Sequence, residues 1–529
     1  MASHAPTTAT ATETNVLWLF GVVAGLAGLS WGLQGGEFAP VMDCDETFNY
    51  LEAAHYSLHG TGMQTWEYAP QYGLRSWFYV ELHLVPIRLA RLVLGEGLTK
   101  AQELLVLRGV LVGLSSWFEA MLASAVGSKF QSPAAAWLTA VVLGTSAGMG
   151  HARRSMLPSS TCMMCFTLAQ ALWMRNRPQA ALLVGSFSVL VSWPFAALPY
   201  IPIGLEVLFD KEAGGVRVIV QIVILALVLF ALLPGVVDSY FYGKPTFAAL
   251  QMVLYNALGA SGGGAHLYGV EPWTFYFKNL FLNFNLVLPV SLAATCMLPV
   301  LGNTHVRVYH SLGFLLAFGL FQSMPHKEER FLFQLYPTLC WSAVVAVAPH
   351  RRLATVFALV VVAMSTSRNL ALGRLTAPNE VYAALPLSDA SGALCLGREW
   401  HRFPSSFYLP PRVTLHWVQS DFKGILPQPF ASKPEQGYAR LVPHMNDLNL
   451  EEPSRYSGPD LCRYTVDVDL PYSERDKLQP FAATAEWKRV QCHEFVGDAK
   501  QPFRSFALPA SAWFGVTTID YCLLEKRTA

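Results

Sequence analysis

Charge is what this chain has least of. Asp, Glu, Lys and Arg make up 14% of its 529 residues, and 53% is hydrophobic, whereas soluble domains carry roughly a quarter charged residues. Much of its surface must therefore face lipid. An excess of one sign is missing too. The 37 basic residues stand against 36 acidic ones, which leaves no overall field to gather nucleic acid and excludes it as a partner. Residues 1–15 hold no Lys or Arg. Without a basic n-region the first apolar run reads as a retained anchor rather than a cleaved signal, and residues 1–15 as a cytosolic polar tail. No KDEL-type retrieval signal closes the chain. No His and Cys grouping has zinc spacing, and no Gly-x-Ser-x-Gly elbow is present. The run Gly262-Gly263-Gly264 lacks the spacing and the preceding strand of a nucleotide loop. Cys162 and Cys165 have redox spacing but sit in an apolar run, where packing is the better reading.

What the chain does have is apolar runs of membrane length, each needing about 20 residues to cross as a helix. They begin at Val16 to Leu33, Phe78 to Leu94, Leu104 to Ala125, Ala134 to Met149, Leu157 to Met174 and Ala180 to Leu208. Val216 to Val237, Leu280 to Leu301, Ser311 to Gln322, Phe331 to Val347 and Leu353 to Met364 follow. The pattern predicts an all-α polytopic bundle of about eleven transmembrane helices spanning residues 16–374. Arg351 and Arg352 favour the cytosol, which puts loops 35–77, 238–279 and 324–330 in the lumen. Arg153 and Arg154 also favour the cytosol, but Arg175 and Arg177 would then be lumenal, and Pro194 is expected to break a long helix. From 375 to 529 the apolar runs shorten and charge returns, predicting a soluble lumenal α+β domain. Its Cys395, Cys462, Cys492 and Cys522 allow three pairings, and one or two bridges or four buried thiols all fit.

Two charged stretches flank apolar runs. Asp43-Cys44-Asp45-Glu46 sets three carboxylates in four positions, close enough for one to hold a proton if desolvated, and suited to a general base. Trp66-Glu67-Tyr68 and Arg75-Ser76-Trp77-Phe78-Tyr79 follow as an aromatic stretch expected to lie along the membrane interface. His326-Lys327-Glu328-Glu329-Arg330 wedges five ionisable groups between two runs, and charges there are costly enough to mark a site. Lys327 and Arg330 can neutralise a phosphate, and His326 can donate a hydrogen bond. Between these stretches, Tyr242, Lys244 and Trp273 lie among interleaved polar and aromatic residues that suit a site for both sugar and lipid.

Asp43-Cys-Asp-Glu-Thr-Phe-Asn-Tyr, Gln64-Thr-Trp-Glu-Tyr, Tyr72-Gly-Leu-Arg-Ser, Trp193-Pro-Phe-Ala and Pro325-His-Lys-Glu-Glu-Arg-Phe resemble the dolichyl-phosphate-mannose-dependent mannosyltransferases of the C-type membrane fold. Glu399-Trp-His-Arg-Phe-Pro-Ser-Ser-Phe, Ser420-Asp-Phe-Lys-Gly-Ile-Leu-Pro-Gln-Pro-Phe and Glu451-Glu-Pro-Ser-Arg-Tyr look like the α-1,2 branch of asparagine-linked glycosylation. The α-1,6 and glycosylphosphatidylinositol relatives are the alternatives within the class. Leu51 stands where an aromatic is expected and His401 where Tyr is expected.

The resemblance implies an endoplasmic reticulum membrane enzyme, active on the lumenal side. It would move mannose from dolichyl phosphate mannose to a dolichyl-diphosphate-linked oligosaccharide, acting on branches with six and eight mannoses. A β-linked donor and an α-linked product imply inversion, with Asp45 as base, Glu46 next to it and Asp43 as positioner. Lys327, Arg330 and His326 would stabilise the leaving phosphate. Glu328 and Glu329 would fix those cations or contact the sugar, and Trp66, Glu67, Arg75, Tyr242, Lys244 and Trp273 would complete the substrate site. Fixed cations can replace a divalent metal, so no metal or other cofactor is expected. A lipid or solute carrier, the rival class, would show two similar half-chains, and no repeat is found.

Overall fold

The computed structural model describes residues 14–95, 97–209, 215–258, 265–297, 304–385, 391–431, 441–469, 485–496, 505–507 and 518–527. The Gly262–Gly264 run and residues 1–13 of the polar tail lie outside them. Each of the eleven apolar runs falls on helix, but the helices are segmented more finely than hydropathy suggests. Five are long and apolar enough to cross a membrane: Val16–Leu33, Lys100–Lys129, Gly215–Tyr242, Glu329–Val347 and Arg351–Ala383. A sixth forms if Phe275–Phe284 and Val287–Thr295, bent by 118°, count as one span. Shorter apolar helices include Pro133–Thr145, Pro178–Ser192, Pro194–Phe209 and Leu312–Ser323.

The breaks have local causes. Trp193 is extended (φ −146°, ψ 114°) because a residue before proline is pushed out of the helical region, and Pro194 then starts a new turn. Asn285 takes φ +43° at the 118° bend, a conformation Asn tolerates better than most residues. The first helix packs Leu19 and Val23 against Ala120, Ala123, Ala136 and Ala140, small residues that let helices approach closely where lipid offers no hydrophobic drive.

Arg153 and Arg154 carry no information about sidedness. Each is 1% exposed and held inside the bundle, Arg153 by Glu119 at 2.9 Å and Arg154 by Gln34. Two buried arginines with partners report packing, so the expectation that they mark a cytosolic loop is corrected.

Among the described residues, strand is concentrated in the C-terminal part. The strands are β1 (Met63–Gln64), β2 (Gly392–Leu396), β3 (Val413–Trp417), β4 (Gln428–Pro429), β5 (Cys462–Val468), β6 (Trp487–Val496) and β7 (Thr518–Lys526). Five form one sheet in the order β3-β2-β5-β7-β6. β2 runs parallel to β3 and β5, and β7 runs antiparallel to β5 and β6. Of the three pairings open in the sequence, the sheet selects one: Cys395–Cys462 joins β2 to β5, and Cys492–Cys522 joins β6 to β7.

The stretch 35–77 is stitched to this C-terminal part. β1 pairs with β4. Gln64 mimics a further strand residue, donating to the Val442 carbonyl at 2.9 Å and accepting from the Val442 amide at 2.7 Å. Buried Glu52 accepts from Ser405 Oγ, Ser406 Oγ and the amides of Ser406 and Met63 at 2.7–3.0 Å. The aromatic stretch is therefore not spread along an interface, as expected from its pattern. Tyr68, Trp77 and Tyr79 are buried, with Tyr68 and Trp77 in contact with each other and with Phe430. Area removed from water here comes from protein packing.

Candidate active site

Asp43 caps the first turn, Cys44–Glu46, of a helix that continues through Thr47–Leu51 and Glu52–His59, its Oδ1 accepting the Asp45 amide at 2.9 Å. Successive residues on such a turn are rotated by about 100°, so neighbouring carboxylates face different ways. Asp43 and Asp45 keep 25% and 32% of their side-chain surface exposed. Glu46 is buried, accepts the Met156 amide at 2.9 Å and lies 3.9 Å from Arg108. The same turn thus divides three carboxylates into two that face the site and one that faces the bundle.

The basic stretch reaches the acidic one across 287 positions. Arg330 Nη1 donates to Asp43 Oδ1 at 2.8 Å, Nη2 pairs with Asp45 Oδ2 at 2.6 Å, and Nη2 also meets Glu328. Arg75 approaches Asp45 from another side, its Nη2 at 3.8 Å from Oδ2. Arg75 is held by a two-pronged pair with Glu67 at 2.7 and 2.9 Å and by Tyr50 OH at 2.7 Å. Removal from water raises Asp45, but the charges of Arg330 and Arg75 outweigh it and hold the carboxyl below the usual range. Burial pushes Asp43 up to about 7, with Arg330 offsetting part of the rise and Asp45 adding to it. The two carboxylates compete for one guanidinium, and Asp45 shares the second with Glu67.

The other predicted residues divide. His326 bonds Glu328 at 2.9 Å and the Gly269 carbonyl at 3.0 Å, and the Glu328 bond raises its pKa. Lys327 is buried and donates to the carbonyls of Glu271 and Met324 at 3.2 and 2.5 Å, a tether to backbone. Glu329 does not fix Lys327 or Arg330, as expected for it. Its donors are His151, Asn279, Asn283 and Tyr336, at the start of a 3₁₀ turn. Tyr242 donates to the Arg75 carbonyl at 2.7 Å and so positions that arginine. Trp66 is buried against Tyr72 and Tyr255. Lys244 is exposed, and Trp273 is 71% exposed with Phe277 beside it; neither is brought to the carboxylates by a described contact.

Three participants escape a reading of charge. Tyr50 and Asn49 serve Arg75 and Asp45, and their only signal is the acidic motif they follow. His151 holds Glu329 at 2.6 Å from an apolar segment, where a lone His looks like core.

A small cleft, with room for about one water molecule, lies beside Arg75. Tyr50, Arg75, Ser76 and Ser192 give it a polar end, and Leu190, Val191, Phe247 and Met252 give it apolar walls. Asp43, Cys44 and Asp45 have ligand atoms within 4.8 Å of one another. Burial pushes the Cys44 thiol up, away from the thiolate a metal would need, and both carboxylates already have a guanidinium partner.

Residues 36–410 match the Alg9-like mannosyltransferase family. The alpha-1,2-mannosyltransferase alg9 of Schizosaccharomyces pombe is 33% identical, over 94% of this chain and 93% of its own length. The alpha-1,2-mannosyltransferase ALG9 of Homo sapiens is also 33% identical, over 95% of this chain and 88% of its own. The crystal structure of ArnT from Cupriavidus metallidurans, bound to undecaprenyl phosphate, superposes with a TM-score of 0.54 at 12% identity, covering 76% of this chain and 85% of that one. At that identity the likeness speaks to the fold alone.

Proposed function

The chain belongs to the Alg9-like mannosyltransferase family, is a multi-pass membrane glycosyltransferase, and we propose that it transfers mannose from dolichyl phosphate mannose to the lipid-linked oligosaccharide precursor of N-glycans. On this reading the new linkage is α-1,2, the anomeric centre inverts, and the site opens to the lumen of the endoplasmic reticulum. Mannosyl transfer in lipid-linked oligosaccharide synthesis follows from the family and its α-1,2 relatives. Donor, side and stereochemistry are the proposal. The observation that carries it is the Asp45 carboxylate held between Arg330 and Arg75, with Arg75 also lining a cleft of polar and apolar side chains.

The lining of the cleft, a guanidinium beside apolar side chains, has the chemistry a charged head and a polyprenyl tail would need. The donor's phosphate would meet Arg75, and the first isoprene unit would lie along Leu190, Val191 and Met252. The acceptor hydroxyl attacks the anomeric carbon, its C–O bond forming as the bond to the phosphate oxygen breaks. The proton passes to Asp45, and dolichyl phosphate leaves with the electron pair. A carboxylate paired to two guanidinium groups is a poor base. The arriving phosphate supplies the remedy: by sharing Arg75 and Arg330 it loosens their hold on Asp45 and raises its proton affinity when a substrate is in place. The same cations then meet the charge developing on the leaving phosphate. No divalent metal is needed for these steps.

The test is the glycan that accumulates in cells without this protein, with add-back of purified chain, donor and acceptor in detergent. Loss of one mannose increment, restored as an α-1,2 product in the presence of chelator, is expected. Product of another linkage, or a requirement for a membrane gradient, overturns the proposal.

A further inference from the structure

Glu46 and Glu329 each adjoin a member of the central ion pair, Glu46 following Asp45 and Glu329 preceding Arg330. Both reach one ten-residue segment. Glu46 Oε1 accepts the amide of Met156 at 2.9 Å, and Glu329 Oε1 lies 2.6 Å from His151 Nε2. The segment is helix Ala147–Arg154 and the residues that lead from it to Met156, and it is anchored on other sides. Arg153 pairs with buried Glu119, and Arg154 holds Gln34 and reaches the Pro40 carbonyl at 3.4 Å. Its glycines let neighbouring side chains pack against the backbone. A Cβ on Gly148 would come within 2.5 Å of Phe284, and one on Gly150 within 2.9 Å of Gln34.

The two reacting stretches are far apart in sequence, and their direct link is one guanidinium. Catalysis needs reacting groups placed within a fraction of an ångström, and a misplacement of about 1 Å can cost about 100-fold in rate. We propose that residues 147–156 are a bracket that sets the Asp45–Arg330 separation, with His151 a positioning residue acting through Glu329. Neither Glu46 nor Glu329 then touches substrate. This inference rests on Asp45 being the base.

The test uses the full chain in detergent, with kcat, KM for donor and acceptor, and the pH profile measured for His151→Leu, His151→Gln and Glu329→Gln. His151→Leu should lower kcat about 100-fold with both KM values nearly unchanged. His151→Gln, whose amide restores a donor to Glu329, should recover most of kcat. Asp45 is faced by Arg330, Arg75, Asp43 and Glu67, and Glu329 by His151, Tyr336 and Arg368. Loosening Arg330 removes positive charge from Asp45, so the acid limb should move to higher pH in the Leu variant. A drop that merely tracks lost folded protein, with the limb in place, overturns the bracket. So does a raised KM with kcat retained in Glu329→Gln, which would put that carboxylate on a substrate. Asp45→Asn run alongside separates the two ideas: turnover by that protein defeats the base assignment, whereas the bracket stands or falls on the kcat and KM of the His151 series.

Discussion

Two carboxylate and guanidinium clusters in this molecule are built to opposite ends. In the bundle, Glu119 and Arg153 are 0% and 1% exposed. Every strong donor finds a partner: Ser115 serves Glu119, and Arg153 also reaches the carbonyls of Leu143 and Gly144. At the site, Arg330 is shared by Asp43, Asp45 and Glu328, and Asp45 lies between two arginines. The first cluster is saturated and shut, and the second is oversubscribed and open. A buried pair stays because breaking it is costly, whereas an open, contested one can exchange partners when a phosphate arrives. The same two functional groups thus serve rigidity in one place and chemistry in the other.

The sharpest break is Asp45→Asn, which keeps the shape and removes the proposed proton acceptor. Transfer to a defined acceptor should fall by about 100- to 10,000-fold with the thermal midpoint unchanged; near-normal turnover would move the base elsewhere. Glu119→Gln probes the other pole. It strands a buried arginine and should cost about 3–5 kcal/mol of stability, seen as a lower midpoint in a thermal melt, while turnover per folded molecule drops far less than in Asp45→Asn. If turnover drops equally, the contrast between the clusters is wrong.

A subtler contrast lies within the open cluster. With Asp43 near 7, rising pH through that value ionises it and adds a negative charge beside the phosphate position. Donor KM should therefore climb through neutral pH in the wild type and flatten in Asp43→Asn, and a climb that persists in the variant belongs to another group. The smallest effect is expected for Tyr242→Phe, which removes one hydrogen bond to the Arg75 carbonyl. A neutral bond contributes about 1 kcal/mol, so donor KM should rise about fivefold at most, with kcat preserved.

The acidic and basic stretches were legible because ionisable groups beside apolar runs demand an explanation, and the structure joins them through Arg330. Which carboxylate faces the site was not legible. Asp45 and Glu46 differ by one position, and only the turn started by Asp43 and the amide of Met156 sorts them. Glu329 and Arg330 pose the same problem at the other end. Disulfide pairing depended on strand order, since Cys395 and Cys462 become neighbours only when β2 lies parallel to β5. The break before Pro194 was legible, because proline excludes helix from the residue ahead of it, whereas the bend at Asn285 was missed, where backbone conformation overrode hydropathy. Arg153 and Arg154 misled because their partners, Glu119 and Gln34, lie on other helices.

Thr47, Glu52 and Gln64 find their partners at Pro404, at Ser405 and Ser406, and at Val442. During synthesis, the early residues around the acidic stretch wait for a scaffold the ribosome makes only after the last apolar helix. A nonsense codon just downstream of the final apolar helix would leave a fully inserted protein, recognisable to any antibody against its front half, with an active centre that never sets.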